Sequence, residues 1–101
     1  MEPMVEGPQL EWEFPDGRME KVQIRLSLPV PDNPEATVFV CRMQMACHHN
    51  DHYDVFGSDG LQAVCLAIQC AFRLLREEVA LNGGEVCYPD GNTFPFEAYI
   101  Q

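Results

Sequence analysis

Residues 58–84, SDGLQAVCLAIQCAFRLLREEVALNGG, decide the fold, because apolar residues recur there at the spacing of a helix. Asp59 and Gln62 have the spacing of a capping box, which predicts that the helix begins beside them. Residues 82–84, Asn-Gly-Gly, predict its end, since glycine accepts the positive φ that closes a helix. The stretch therefore predicts one helix of about twenty residues. Its predicted core face comprises Leu61, Val64, Cys65, Ile68, Phe72, Leu75 and Val79, widened by Leu66, Ala67, Cys70, Ala71 and Leu74.

Before this helix, apolar and polar residues alternate with a period of two, which predicts strands with one face in water. Residues 9–14 and 19–28 are two such runs, and the Pro-Asp-Gly-Arg turn between them predicts a hairpin. A third strand is predicted over residues 37–45. The segment from there to Gly57 has no sustained period and is predicted to be loop.

Other segments are predicted from their prolines and charges. Residues 29–34 contain three prolines, which lack the N–H that a sheet interior needs, so a linker is predicted there. Residues 1–8 are expected to form a flexible acidic arm. After the helix, residues 85–88 and 93–96 flank a Pro-Asp-Gly-Asn turn, which predicts a terminal hairpin weakened by Pro95.

The predicted elements follow one another as β-β-β-α-β-β in a single domain over residues 1–101. This order predicts an α+β fold, in which an antiparallel sheet of about four to five strands carries one long helix across one face. The apolar stripe of the helix is wide. We therefore expect that the helix is covered on more than one side, or that part of it meets a partner.

The strongest global feature is acidity. Sixteen Asp and Glu residues stand against six Lys and Arg, for a formal net charge of −10. A field of this sign repels nucleic acid and anionic membranes and attracts basic molecules, so the expected partner is a basic protein. The alternative is that the acidity only keeps a small protein in solution.

The cysteines and the hydropathy indicate the compartment. The chain has five cysteines, an odd number, and they form no CxxC pair. The N-terminal sequence lacks the basic and apolar regions of a secretory signal, and no apolar run reaches the roughly 20 residues that span a bilayer. We therefore predict a cytoplasmic protein whose cysteines are structural thiols.

One short run, CHHNDHYD at residues 47–54, contains all three histidines. It is interpreted in two ways. The first is a polar loop that leads into the helix. The second is a metal-binding domain with ligands from this run alone, although structural zinc sites usually take ligands from two places in the chain. We expect no cofactor and no enzymatic activity, since no nucleophile stands in a recognisable catalytic motif. The candidate metal ligands of the second interpretation are Cys47, His48, His49, Asp51 and His52.

Carboxylates stand beside aromatic residues at two places, which is a pattern suited to binding a basic protein. Glu11 and Glu13 flank Trp12, and acidic residues also surround Tyr53. Tyrosine and tryptophan are frequent anchors of protein interfaces, while carboxylates recognise Lys and Arg. The predicted partner-binding residues are Glu11, Glu13, Asp51, Tyr53, Asp54 and Glu85.

Two sequence runs resemble a group of small uncharacterised bacterial α+β domains. The first is residues 39–45, FVCRMQM, and the second is residues 56–63, FGSDGLQA, which contains a G-x-D-x-x-Q-A helix start. The resemblance covers about residues 20–80. Some small acidic proteins of this general build are immunity proteins, so the resemblance implies a domain of that type without implying any site residue.

The leading hypothesis is therefore a non-enzymatic acidic binding protein. It would be an immunity protein or inhibitor that neutralises a basic bacterial toxin by occluding its active site. The other hypotheses are the metal-binding domain described above and a structural domain that forms a homodimer through spare helix or sheet-edge surface.

Overall fold

The computed structural model describes residues 4–47 and 50–100. Within these residues the chain forms one antiparallel sheet with one long helix, α1 (Gly60–Asn82), packed across one face. The predicted α+β fold is thereby confirmed, with seven strands in the described residues rather than the expected four to five. The described strands are β1 (Met4–Glu6), β2 (Leu10–Glu13), β3 (Met19–Ser27), β4 (Val30–Pro31), β5 (Phe39–Ala46), β6 (Asn50–Gly57) and β7 (Glu85–Cys87).

The sheet has the order β7-β2-β3-β5-β6. Strands β1 and β2 pair one after the other with the same strand, β3. An extra residue between Glu6 and Leu10 makes a bulge at the junction. Strands β3 and β4 likewise pair one after the other with the same side of β5. The chain therefore runs through an antiparallel meander to β6, crosses the sheet as α1, and returns to pair β7 with β2 at the opposite edge.

Side chains at both ends of α1 explain where the helix begins and ends. The carboxylate of Asp59 accepts a hydrogen bond of 2.8 Å from the backbone N–H of Gln62, as the predicted capping box requires. The side-chain oxygen of Gln62 accepts in return from the backbone N–H of Ser58 at 2.6 Å. At the other end Gly83 has a φ of 79° and donates its N–H to the carbonyl of Val79.

The line of closest packing on α1 consists of small residues. Ala63, Ala67 and Ala71 are fully buried, which lets the helix axis approach the sheet beneath β5 and β6. Three residues of the predicted core face are exposed instead: Leu61, with 76% of its surface accessible, Cys65 and Leu66. The core-face prediction was therefore right for the middle of the helix and wrong for its first turns.

The C-terminal segment covers a second side of α1. Phe72 of the helix stacks on Phe94 with ring centroids 5.2 Å apart and contacts Tyr99 at 4.5 Å. The expectation of a second covering element is confirmed. The predicted terminal hairpin is reduced to β7 and one bridge, Cys87 with Thr93, because Pro95 cannot continue a ladder and a short 3-10 helix follows.

Three other predictions about elements were wrong. The segment from residue 46 to Gly57 is mostly strand β6 rather than loop, so a third long strand precedes the helix. Within the predicted linker 29–34, β4 pairs with β5. Within the predicted arm 1–8, Met4–Glu6 pairs with β3, while residues 1–3 lie outside the described part of the chain. Across the described residues, no helix combines the length and hydropathy needed to cross a membrane.

Candidate functional site

Alternation along β2 and β7 places three carboxylates on the face of the sheet that lies away from α1. Leu10 and Trp12 of β2 are buried, so Glu11 and Glu13 between and after them project from the opposite, outer face. Val86 of β7 is buried opposite Trp12. Its neighbour Glu85 therefore projects from the outer face as well.

Strand register brings these carboxylates together. Glu13 stands directly opposite Glu85, and Glu11 stands directly opposite Cys87. Directly opposed side chains on one face have Cβ atoms about 5 Å apart, and like charges in that position repel. Glu11, Glu13, Glu85 and Cys87 are called the acidic patch below.

Contacts just after the C-terminal end of α1 hold β7, the strand that completes the acidic patch, against β2. The indole Nε1 of Trp12 donates a hydrogen bond of 2.9 Å to the carbonyl of Gly83. Gly84 follows with a φ of 92°, and a Cβ at this position would overlap the carbonyl oxygen of Glu13. Only glycine fits here without strain, so the chain enters β7 close against β2. Glu85 then accepts a hydrogen bond of 2.5 Å from the hydroxyl of Thr93.

The pKa of the Cys87 thiol reflects the negative charge of the acidic patch. Its pKa is raised above the ordinary value, first by partial burial and then by the negative charges of Glu85, Glu13 and Glu11. Both effects disfavour the thiolate. At neutral pH the thiolate of Cys87 is therefore less populated than that of an ordinary exposed cysteine.

The other three predicted partner-binding residues lie elsewhere. Asp51 and Tyr53 of β6 share the helix-side face with their β5 partners Met45 and Met43, whereas Asp54 projects from the outer face. There Asp54 pairs with Arg42, with Nε and Oδ1 3.2 Å apart.

The six predicted residues therefore do not form one site. Strand β6 lies three strand spacings from β2, roughly 14 Å at the usual 4.8 Å spacing. The structure brings Glu11, Glu13 and Glu85 together at one edge of the sheet. It divides Asp51, Tyr53 and Asp54 between two faces at the other edge.

The candidate metal ligands are also divided. Asp51 and His52 are consecutive residues of a strand, so their side chains leave the sheet on opposite faces. Cys47 is half-buried just after β5, and His48 and His49 lie outside the described residues. Within residues 4–47 and 50–100, no group of three His, Cys, Asp or Glu side chains is arranged to hold a metal ion.

Two residues at this edge were not predicted as site residues from sequence: Cys87, which stands opposite Glu11 in the acidic patch, and Thr93, which donates a hydrogen bond to the carboxylate of Glu85. The place of Cys87 has no local signal, because it follows from pairing between strands more than seventy residues apart. Thr93 lies only eight residues after Glu85, within the predicted terminal hairpin. Comparisons of this chain with protein-family models, with curated proteins and with solved structures found no match.

Proposed function

We propose that this chain is a non-enzymatic protein-binding domain that recognises a basic protein through the acidic patch. The direct opposition of Glu13 and Glu85 carries the proposal. Two like charges in that position are unfavourable in the free protein. A Lys or Arg side chain placed over them by a partner would relieve this repulsion and form charge-assisted hydrogen bonds.

Ion pairs elsewhere make the patch the better candidate among the acidic surfaces. Arg18 pairs with Asp16 at 2.8 Å, Arg25 with Glu6 at 3.3 Å, and Arg42 with Asp54 at 3.2 Å. These carboxylates are neutralised locally. Within the acidic patch, Glu11 stands opposite Lys21 on β3, whereas Glu13 stands between Met19 on β3 and Glu85 on β7.

The finer proposal is that the partner is a toxin enzyme and that this chain acts as its immunity protein. A net charge of −10 would steer a basic enzyme towards the patch. The exposed outer face of the sheet around it would then cover the entrance to the active site. This mechanism requires no catalytic group in the inhibitor.

Salt-dependent co-purification tests this proposal. The tagged chain would be purified from its own host at low salt, and proteins released as salt is raised would be identified by mass spectrometry. We expect a stoichiometric basic protein whose enzymatic activity falls when the chain is added back. Recovery of the chain alone, or with an acidic partner, would contradict the proposal.

A pair of double variants with equal charge makes the test specific to the patch. Glu13→Lys with Glu85→Lys reverses the patch, whereas Glu35→Lys with Glu77→Lys reverses two exposed glutamates elsewhere. Both raise the net charge by the same amount. We expect the first pair to slow association and to weaken its dependence on salt, while the second pair binds almost normally. Equal effects of the two pairs would show that net charge, and not the patch, attracts the partner.

A further inference from the structure

Strand β6 leaves one side of its backbone available for pairing. All eight of its residues, Asn50–Gly57, pair in continuous register with β5. Among the described residues, β5 is the only strand that pairs with it. The backbone N–H and C=O groups on the other side of β6 therefore point away from the sheet, as on any edge strand.

The two edges of this sheet differ in how they are protected. The β7 edge is only three residues long and is followed by Pro89, and both features discourage pairing with another chain. Strand β6 is eight residues long, has no bulge against β5, and contains neither proline nor lysine. Its charged residues are Asp51 and Asp54, so of the usual features that prevent an edge from pairing it has charge but not short length, proline, lysine or a bulge.

We infer that β6 pairs antiparallel with β6 of a second copy of this chain, so that two sheets join into one across a two-fold axis. An axis perpendicular to the sheet keeps the helix-side face of both copies on the same side. Directly opposed residues of the two strands must then share a face. The two-fold axis therefore passes through one residue, which stands opposite its own copy.

Charge and side-chain size select Tyr53 as that position. With the axis at Tyr53, His52 of each copy stands opposite Asp54 of the other on the outer face, where a histidine N–H can donate to the carboxylate that Arg42 also contacts. The two Tyr53 rings, each 40% exposed, become a cross-strand aromatic pair. An axis at Asp54 would instead oppose two carboxylates. The register with two His–Asp pairs and one Tyr–Tyr pair is self-complementary.

This interface is independent of the proposed function. It lies at the edge of the sheet opposite the acidic patch, so a dimer keeps both patches exposed and can bind two partners. Failure of the dimer would leave the proposal about the patch intact, and failure to find a basic partner would leave the dimer intact.

Opposite substitutions at His52 test the register. Sedimentation analysis from micromolar to millimolar chain concentration should show a reversible monomer–dimer equilibrium for the unmodified protein. His52→Asp would place a carboxylate opposite Asp54 at both symmetry-related positions of the dimer. It should weaken association by about tenfold. His52→Lys opposes lysine to Asp54 and should strengthen it by a similar factor. A monomer at every concentration, or association that neither substitution changes, would overturn the inference.

Disulfide trapping tests the same register without relying on charge. In a Cys65→Ser background, which removes an exposed native thiol, Tyr53→Cys would place two thiols directly opposite each other. Opposed Cα atoms in an antiparallel pair lie about 5 Å apart, within the range of a disulfide. Phe56→Cys is the control, because its two copies would lie six residues apart along the strands, roughly 20 Å. Mass spectrometry should find a disulfide that joins the two introduced thiols of the Tyr53→Cys variant. Equal or faster linking of the control would overturn the inference.

Discussion

At the scale of single residues, Gly84 is the position where the acidic patch depends most on backbone geometry. Its φ is positive, and a Cβ there would overlap the Glu13 carbonyl oxygen and lie 2.9 Å from Nε1 of Trp12. Gly84→Ala should therefore lose about 1–2 kcal/mol from backbone strain and about 1–3 kcal/mol from overpacking. Urea denaturation measures the loss.

Gly91→Ala is the matched control for this substitution. Gly91 also has a positive φ, of 91°, but a Cβ there would meet no atom within 4 Å. It should lose only the strain, about 1–2 kcal/mol. If the two variants lost equal stability, the close approach of Gly84 to β2 would be wrong.

The reactivity of Cys87 is a second test at this scale. Burial, Glu85, Glu13 and Glu11 raise its pKa, so less thiolate than usual is present at any pH below that pKa. Replacing Glu13 and Glu85 by glutamine removes two of these negative charges and lowers the pKa. The alkylation rate of Cys87 against pH should then shift to lower pH, which peptide mass spectrometry can follow for this thiol alone. Glu35→Gln should leave the curve in place, and an unshifted curve in the double variant would contradict the register.

The sequence predicts individual residues of the acidic patch, but it does not predict that they lie side by side on paired strands. Acidity beside aromatic residues or on predicted strands indicates Glu11, Glu13 and Glu85 one by one. Nothing local shows that Glu85 pairs with Glu13, because a short strand with the sequence Glu-Val-Cys could have joined either edge of the sheet. The same uncertainty placed Asp51, Tyr53 and Asp54 in one site with them.

At the scale of elements, the cap of α1 supports the longest segment of the fold. Asp59 satisfies the N–H of Gln62 at the helix start, where no backbone acceptor is available. Asp59→Ala should lower the free energy of unfolding by about 1 kcal/mol. Asp32→Ala, an exposed aspartate outside the helix, should change it by less than about 0.5 kcal/mol. Chemical denaturation of both variants decides whether the cap acts as described.

Strand β6 shows why an element can escape prediction. Its helix-side face has Asp51, Tyr53 and Val55, and its outer face has His52, Asp54 and Phe56. Each face therefore mixes polar and apolar residues, and a period of two does not appear in hydropathy. A strand at the edge of a sheet tolerates this mixture because α1 covers only part of one face and solvent reaches the other.

The burial of the helix follows the 3.6-residue period, so the prediction includes its buried residues Ala67, Ala71, Phe72 and Leu75 and misses Ala63. Hydropathy favours leucine over alanine, so Leu61 was assigned to the core. Contact with the sheet instead selects small residues, since they allow the shortest distance between helix and strands. The covering C-terminal segment reaches Phe72, three turns after Leu61, and leaves the first turns exposed.

At the scale of the whole molecule, charge is distributed unevenly over the sheet. The outer face has ion pairs at Arg25 and Arg42 in its middle and opposed carboxylates at the β7 edge. The β6 edge offers backbone pairing, whereas the β7 edge offers negative charge. The two ends of the sheet are therefore suited to different kinds of association.

The net charge of −10 also makes stability depend on salt. At an ionic strength of about 0.1 M the Debye length is about 10 Å, so added salt screens repulsion between exposed carboxylates. The free energy of unfolding should therefore rise as NaCl is added at neutral pH. Glu13→Gln with Glu85→Gln removes the opposed pair and should raise stability at low salt while making it less sensitive to salt. Glu35→Gln with Glu77→Gln removes the same formal charge from separate places, and it should retain more of the salt dependence. Thermal melts of the three proteins across a salt series measure this difference. If stability depended on salt to the same extent in both double variants, repulsion would be spread over the whole surface. The β2–β7 edge would then not be a preferred site for a basic partner.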